Sequence, residues 1–464
     1  MGPRKSNAPI ASCGRRGGAR RRAFAPAHPQ PAEPRRAAPP PAGELRGPDP
    51  GEGGMGFLYA LLLLAAAALL GAAVLVLVGS ISFDATHSQV PPEVERPARL
   101  RILHALLIGA AVVGKILENL HICSQIQFVR YWRNGWKQGK DAKLFIKDMK
   151  FKHVPVRIYQ PKAPSAGRRK GVVFFHGGGW MFGSIRAYDK MCRYISKESE
   201  SVVVSVEYRL APEHKYPAQL NDCLAATTHF LQTADDYGVD STRVVIAGDS
   251  AGGSLAAGVC QTLVGRQGFP KVCAQILIYP GLQAIDFNLP SYQQNQAVPI
   301  LYREKAAFYF LQYLNGDASL MEEVLRGSHV PVDQKLRYRK WLSADNIPKE
   351  FKVRGYVPPV PIACDDEAYE ELKSVCTPEI SPLIAEDTVV RQLPRTCIVT
   401  CEYDVLRDDG LLYKKRLEDN GVPVTWYHVI NGFHGIISFF DNGWLTFPSG
   451  KQGLDNIVRF IQSL

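Results

Sequence analysis

The sequence has few of the patterns by which proteins bind metal ions. It has ten cysteines in 464 residues, and no two of them stand in the C-x-x-C spacing of many metal sites. Cys13 precedes a long apolar run that we interpret below as a membrane anchor, so the other nine cysteines lie on the far side of the membrane. Because nine is an odd number, at least one of them is unpaired unless it bonds another chain. We therefore predict no metal ion.

The sequence also lacks a recognisable nucleic-acid-binding motif and a basic stripe interleaved with aromatic residues. The net charge of the chain is +11, but residues 1–54 hold ten Lys and Arg against four acids. More than half of the excess positive charge therefore lies in this segment. This segment is rich in Pro, Gly, Ala and Arg and has hardly any aliphatic periodicity, so it cannot offset the entropy of ordering a chain. We predict a disordered tail over residues 1–54 and no nucleic-acid partner.

Residues 55–83 have no charged side chain at all, and their sequence is MGFLYALLLLAAAALLGAAVLVLVGSISF. About 20 apolar residues cross a bilayer, so we predict an uncleaved transmembrane signal anchor here, since a cleaved signal peptide has a shorter core. The Arg-rich tail favours a cytosolic N-terminus, with the rest of the chain lumenal or extracellular. Translation from Met55 is an alternative, under which this charge argument disappears.

A second apolar run extends from Ile102 to Gly114. It is too short to span a bilayer, and Lys115 and Glu118 follow it closely. The run predicts a helix that is either buried in the protein or in contact with the bilayer surface.

From about residue 145, short β-branched runs alternate with helical patterns, which is typical of a mostly parallel sheet covered by helices on both faces. In such a sheet, functional residues gather at the carboxyl ends of the strands. The predicted strands are VPVRIYQP, GVVFFHGG, SVVVSVEYR, RVVIAGDS, AQILIYPG, TCIVTCEYD and VTWYHVI.

Two glycine-rich motifs follow predicted strands. GDSAGG contains the G-x-S-x-G pattern of a nucleophile on a tight strand-to-helix turn, with Ser250 at its centre. HGGGW places His176, Gly177, Gly178 and Gly179 after another strand, where three glycines let backbone amides point at an oxyanion together with the Ala251 amide. Each motif alone can also be a plain glycine turn.

Two further strand ends carry an acid and a histidine. Asp404 follows an apolar strand, where a carboxylate can orient an imidazole, and His434 lies in a glycine-flanked loop, where it can act as general base and acid. The nearby acids Glu402, Asp408 and Asp409 can be explained by a helix start, where negative charge is favourable. His428 falls within a strand pattern, which favours a packed or surface position over a catalytic one. The order Ser250, Asp404, His434 is typical of α/β-hydrolases.

Taken together, HGGGW, EYRLAPEHKYPA, GDSAGG, CEYDVLRDDG and GFHG resemble the hormone-sensitive-lipase-like, or GDXG, lipolytic family of α/β-hydrolases. The apolar anchor, SYQQNQAVPIL, SPLIA and LLYKKRLEDNGVPVTWYH resemble its arylacetamide deacetylase-like proteins, the arylacetamide deacetylase-like 4 group in particular. The resemblance covers about residues 55–464 and implies an α/β-hydrolase fold with one N-terminal transmembrane anchor. It also implies a hydrolase domain over 151–464 and a helical cap over the site, formed by residues 84–150 and an insertion at about 287–378.

Carried over to this chain, the resemblance implies Ser250 as nucleophile, His434 as base and Asp404 as its orienting acid. It implies an oxyanion hole at His176, Gly177, Gly178 and Ala251, no cofactor, and a single-pass type II protein of the endoplasmic reticulum with a lumenal catalytic domain. The expected activity is hydrolysis of lipophilic carboxylic esters, or of aryl acetamides, through an acyl-enzyme. The alternative is a membrane-tethered binding protein with a weak or inactive site on the same fold.

The chain departs from the family pattern at three positions. Met181 stands where some relatives have a cysteine bonded to the one before the acid segment, so Cys401 is expected to lack that partner. Asn431 replaces an acid common in DGFHG, and Ser254 replaces the asparagine of GDSAGGN. These departures bear on local rigidity and substrate preference, and all three residues of the expected triad are present.

Overall fold

The computed structural model describes residues 52–135, 138–360 and 362–464. The predicted disordered tail lies outside the described residues, except for its end, which is helical. The chain divides into two compact units, Met1–Ala65 and Ala66–Leu464. The described part of the first unit is helical throughout, and the second unit holds the sheet.

The first helix, α1, extends from Glu52 to His87 and contains the whole predicted anchor. Most of its described leucines are exposed; Leu63 and Leu64 have 71% and 70% of their surface accessible. Such a run of exposed apolar side chains is unfavourable in water and matches a lipid environment.

The second helix, α2, extends from Pro97 to Asn119 and is longer at both ends than the apolar run that predicted it. By length and composition alone its 23 residues could cross a membrane, although the apolar run within it is shorter. Leu100 and Leu103 are nevertheless buried against the rest of the second unit. One side of α2 is thus part of the protein interior.

An eight-stranded sheet forms the centre of the described chain, in the order β1-β2-β4-β3-β5-β6-β7-β8. The β1–β2 and β2–β4 pairs are antiparallel, and the remaining neighbours are parallel. The strands are β1 Leu144–Phe151, β2 Val154–Pro161, β3 Arg169–Phe175, β4 Val202–Val206, β5 Val239–Asp249, β6 Ala274–Ile278, β7 Arg395–Tyr403 and β8 Val424–Phe433.

Helices cover both faces of this sheet. The helices after α2 are α3 Gln125–Arg133, α4 Asp189–Ser199, α5 Ala218–Thr233, α6 Ala251–Leu263, α7 Pro290–Gln294, α8 Arg303–Leu314, α9 Met321–Arg326, α10 Val332–Leu342, α11 Asp366–Leu372, α12 Asp387–Val390, α13 Arg407–Asp419 and α14 Pro448–Gln462. Every residue of β4 and of β6 is buried, as expected for β-branched strands packed on two sides. The predicted mostly parallel α/β-hydrolase architecture is confirmed.

Strand β1 was not predicted, and it lies at the end of the segment expected to be a helical cap. Its sequence, LFIKDMKF, buries only its first and last residues because it forms the edge of the sheet. Its charged residues fit an edge strand with solvent on one side. The helical part of that segment therefore ends before Leu144.

The insertion at about residues 287–378 has helices α7 to α11 and no strand among its described residues. It separates β6 from β7 along the chain, although these two strands are neighbours in the sheet. The carboxyl ends of β3 and β5 also lie side by side, since Phe175 pairs with Gly248. The two glycine motifs therefore meet at one edge of the sheet.

Candidate active site

Ser250 lies on a strained turn between β5 and α6. Its φ of 53° and ψ of −123° are unusual for a residue with a side chain, and the Ser250 amide donates to the Ile278 carbonyl at 2.8 Å. A Cβ added at Gly252 would overlap the Phe175 carbonyl oxygen, and one at Gly248 would overlap the Gly252 carbonyl. Glycines at both positions allow this close approach, which holds the Ser250 hydroxyl at the strand end.

The three residues of the expected triad form one hydrogen-bonded chain. Ser250 Oγ lies 2.9 Å from His434 Nε2, and His434 Nδ1 lies 2.8 Å from Asp404 Oδ2. Asp404 is completely buried, and its Oδ1 accepts the Leu406 amide at 2.9 Å. The Tyr279 ring packs edge-on against the imidazole with centroids 5.0 Å apart. These contacts fix the orientation of the imidazole toward the serine.

The glycine loop after β3 is held by Asp249, the residue before Ser250. The Gly177 amide donates to Asp249 Oδ1 at 2.7 Å, and the Tyr188 hydroxyl donates to Asp249 Oδ2 at 2.9 Å. Burial raises the pKa of Asp249 to about 6. The Gly177 amide is therefore engaged with a carboxylate, and its prediction as an oxyanion donor is wrong in this structure.

The next two glycines face the cavity instead. Gly178 and Gly179 line it together with Ala251, and among the described residues none accepts a hydrogen bond from the amides of these three. Gly178 has a φ of 124° and Gly179 a φ of 62°, conformations that a side chain would strain. Their amides and the Ala251 amide are the available donors for an oxyanion.

The His176 side chain points away from the cavity. Its ring stacks on Tyr208 with centroids 4.3 Å apart, and its carbonyl accepts the Tyr208 hydroxyl at 2.6 Å. Burial lowers the pKa of His176 to about 4, so the imidazole is neutral at physiological pH. The histidine supports the loop from behind and contributes no donor to the site.

The acids and the histidine near Asp404 stabilise the fold around the site. Glu402 accepts hydrogen bonds from Arg354 at 2.7 Å and from Arg407 at 2.9 Å, and it lies 3.1 Å from His428 Nε2. Glu402 therefore stabilises the fold through these contacts and makes none of them to the triad. His428 is held on the β8 side of this group and does not reach Ser250.

Asp408 and Asp409 connect α13 to the loops that follow β6. Asp408 Oδ2 accepts the Ser291 amide at 2.6 Å, and Asp409 Oδ2 accepts the Leu282 amide at 2.8 Å. Burial raises the pKa of Asp409 to about 8. Both side chains thus hold the start of the insertion in place.

Of the three departures from the family pattern, Ser254 makes a side-chain hydrogen bond, whereas Met181 and Asn431 accept hydrogen bonds at their backbone carbonyls. Met181 is buried and its carbonyl accepts Arg130 Nε at 2.7 Å, while Cys401 is buried as a free thiol, as expected. The Ser254 hydroxyl donates to the Gly281 carbonyl, and the Asn431 carbonyl accepts the Glu95 amide at 2.9 Å.

A cavity of about 980 Å³ opens above Ser250 and His434. Most of its wall is apolar, and it comes from α2, α3, α8 and the loop after β8. Its apolar lining includes Leu103, Leu106, Ile126, Trp132, Phe182, Phe308, Phe310, Met321, Leu406 and Phe439. A cavity of this size and composition fits a lipophilic molecule of drug or lipid size. Among the described residues, no group of three or more His, Cys, Asp and Glu is arranged to hold a metal ion.

Sequence reasoning missed the role of Asp249 and left Gly179 out of the expected oxyanion hole, whereas the α8 wall of the cavity lies within the insertion that was expected to cap the site. Asp249 had a signal, because it directly precedes the serine, but its contact with Gly177 joins residues 72 positions apart. Gly179 stood in the same HGGG motif as the glycines that were chosen.

The sequence and the fold are similar to those of known hydrolases. Residues 172–335 and 356–438 match a family model described as alpha/beta hydrolase fold. Arylacetamide deacetylase-like 4 of Homo sapiens is 46% identical over 377 residues, which cover 81% of this chain and 93% of that protein.

Two further matches are to named esterases. Neutral cholesterol ester hydrolase 1 of Rattus norvegicus is 37% identical over 387 residues, covering 80% of this chain and 94% of that protein. A solved structure of an esterase from Pyrobaculum calidifontis has a TM-score of 0.55 at 26% identity, covering 73% of this chain and 92% of that one.

Proposed function

Because this chain belongs to the arylacetamide deacetylase-like branch of the α/β-hydrolase fold family, we propose that it is a membrane-anchored serine hydrolase that cleaves carboxylic esters. The observation that carries the proposal is the hydrogen-bonded chain from Ser250 through His434 to Asp404, which opens on a large apolar cavity.

Acylation begins when the Ser250 oxygen attacks the ester carbonyl carbon. A bond forms between Oγ and that carbon, His434 Nε2 takes the hydroxyl proton, and the buried Asp404 carboxylate stabilises the resulting imidazolium. The carbonyl oxygen becomes an oxyanion, and the Gly178, Gly179 and Ala251 amides donate to it. His434 then gives its proton to the departing alcohol oxygen.

Deacylation follows the same path with water as the nucleophile. Water loses a proton to His434 as its oxygen bonds to the acyl carbon, and the collapse of the second oxyanion returns the proton to Ser250. The products are a carboxylic acid and an alcohol, or an amine where the substrate is an aryl acetamide. No step calls for a cofactor.

The cavity lining supports a lipophilic substrate. The names of the relatives refer to arylacetamides and to cholesterol esters, and the apolar wall suits an ester of either kind. Helix α1 supports a bilayer anchor, and we assign the catalytic unit to the lumenal side of the endoplasmic reticulum.

An ester panel tests the proposal. Full-length protein in detergent is expected to hydrolyse para-nitrophenyl acetate and longer para-nitrophenyl esters, and Ser250→Ala is expected to lose this activity. Ser165→Ala, which changes an exposed loop serine, serves as the matched control. Folded wild-type protein that hydrolyses none of the esters would contradict the proposal and would favour a binding protein with an inactive site.

A further inference from the structure

Four cationic side chains line the mostly apolar cavity above Ser250. Arg186 donates to the Gly135 carbonyl at 2.7 Å, and Lys190 donates to the Asp441 carbonyl at 2.9 Å.

The other two cations have no such hydrogen bond within the described residues. They are Lys305, in the first turn of α8, and Arg133, the last residue of α3. Neither has a part in the proposed acyl-transfer steps. A cation that borders an apolar cavity is costly unless a negative group joins it.

Lys305 lies close to the oxyanion glycines. Tyr302 and Tyr309 are three positions before it and four positions after it, so the three side chains share one face of α8. The Tyr309 ring lies directly against Gly179, where an added Cβ would overlap it. Lys305 is therefore about one helical turn along α8 from Tyr309, the residue that contacts this loop.

Arg133 reaches the same place from α3. Its guanidinium carbon lies 5.4 Å from the centre of the Phe182 ring, and Phe182 meets Tyr309 edge-on with centroids 6.2 Å apart. Phe182 follows the glycine loop directly, and its amide donates to the Gly178 carbonyl at 2.9 Å. The two cations thus flank the aromatic pair Phe182 and Tyr309 beside the candidate oxyanion hole.

Neither cation forms an ion pair within the described residues. No carboxylate oxygen there lies within 4 Å of the Lys305 ammonium or the Arg133 guanidinium, whereas the neighbouring Arg130 binds Glu213 at 2.8 Å. Burial and the charge of Arg133 lower the pKa of Lys305 to about 8, which leaves the ammonium as its main form at pH 7.

The acids around Lys305 do not neutralise it. Glu304 borders the cavity but is exposed, and Asp84 is bonded to His104 Nε2 at 2.8 Å. Asp84 acts on Lys305 only at longer range.

Lys305 lies over the Tyr302 ring at 5.7 Å and Arg133 over the Phe182 ring at 5.4 Å. A negative group inside the cavity would therefore meet two cations that have aromatic neighbours but no carboxylate partner within the described residues.

We propose that Lys305 and Arg133 bind an anionic group, a carboxylate or a phosphate, carried by the ester substrate. This inference rests on the proposed esterase function. It narrows the substrate class to amphipathic esters that place an apolar chain along the cavity wall and a negative charge beside α8.

Matched substrate pairs test the inference. One pair compares para-nitrophenyl hexanoate with the mono-para-nitrophenyl ester of hexanedioic acid, which adds a carboxylate to the acyl chain. A second pair compares oleoyl glycerol with oleoyl glycerol phosphate, which adds a phosphate to the alcohol. The measured quantity is the ratio of kcat/KM for the anionic ester to kcat/KM for its neutral partner, in full-length protein at low salt.

In at least one pair, wild-type protein is expected to favour the anionic ester by about tenfold, the effect of one charge-assisted hydrogen bond. The pair that responds identifies which end of the substrate carries the charge. Lys305→Met is expected to lower the ratio by about tenfold and Arg133→Met to lower it less, while Lys305→Arg retains most of it. Lys150→Met, which changes an exposed lysine on β1, is expected to leave the ratio unchanged.

Salt supplies a measurement that needs no variant. Added sodium chloride is expected to lower the wild-type ratio, because it screens the attraction between the cations and the substrate. The inference is overturned if the neutral esters are hydrolysed but, for both substrate pairs, the ratio in Lys305→Met and the wild-type ratio in high salt stay within a factor of two of the wild-type ratio at low salt. If wild-type protein hydrolyses none of the four esters, it is the proposed esterase function that has failed.

Discussion

The Asp249 carboxylate accepts the Gly177 amide at 2.7 Å, so the residue before the candidate nucleophile holds the glycine loop that faces the substrate carbonyl. The same carboxylate accepts the Tyr188 hydroxyl at 2.9 Å. Strands β3 and β5 are adjacent, and this side-chain contact fixes the two loops that follow them relative to each other. The geometry of the nucleophile and that of the oxyanion donors are thereby linked.

Replacement of Asp249 tests this link. Asp249→Ala leaves the buried Gly177 amide and Tyr188 hydroxyl without their acceptor, so the free energy of unfolding should fall by roughly 2–4 kcal/mol. kcat should fall as the glycine loop shifts. Asp249→Asn keeps an acceptor for Gly177 and should lose less of both. Urea unfolding and ester hydrolysis measure the two effects, and equal losses in the two variants would contradict the role of this contact.

The raised pKa of Asp249 predicts a pH dependence of stability. The folded protein keeps this proton up to about pH 6, whereas the unfolded chain releases it near the ordinary value of 3.8, so the contribution of Asp249 is greatest at low pH. From pH 4 to pH 7, the free energy of unfolding of wild type relative to Asp249→Asn should fall by roughly 2 kcal/mol. Urea titrations at both pH values measure this difference, and a rise with pH would contradict the assignment.

Gly179 should be irreplaceable for catalysis. Gly179→Ala adds a Cβ that overlaps the Tyr309 ring at a φ of 62°, which displaces a candidate oxyanion donor. Removal of one such donor lowers kcat by about a hundredfold or more. Gly167→Ala is the control, because its Cβ has nothing within 4 Å. Similar kcat values for the two variants would remove Gly179 from the oxyanion hole.

The orientation of the chain can be tested in sealed microsomes. If α1 spans the bilayer with the catalytic unit in the lumen, added protease should leave residues after His87 intact until detergent is added. An antibody to the C-terminus reports the protected fragment. Digestion of that fragment without detergent would place the catalytic unit on the cytosolic side.

The elements that sequence reasoning recovered have local signals. Ser250, Asp404 and His434 each follow an apolar run that reads as a buried strand, so their shared edge follows from the parallel sheet. Strand β1 was missed because an edge strand keeps charged residues. The role of Gly177 was wrong because its amide direction depends on a side chain 72 residues away.

The position of Lys305 and Arg133 was equally beyond the sequence. They border one cavity because Arg133 of α3 lies over Phe182, which follows the glycine loop, and Phe182 packs against Tyr309 of α8, and no spacing along the chain encodes that approach. Charge alone could not select them from 55 Lys and Arg residues.

The central claim, that Ser250 is an activated nucleophile, is tested most directly by a fluorophosphonate probe on membranes that contain the full-length protein. The probe reacts with serines activated by a neighbouring base, so wild-type protein should be labelled and mass spectrometry should locate the adduct on Ser250. Ser250→Ala should show no labelling, and His434→Ala should show very little. Folded wild-type protein that stays unlabelled, or labelling that persists in Ser250→Ala, would contradict the account.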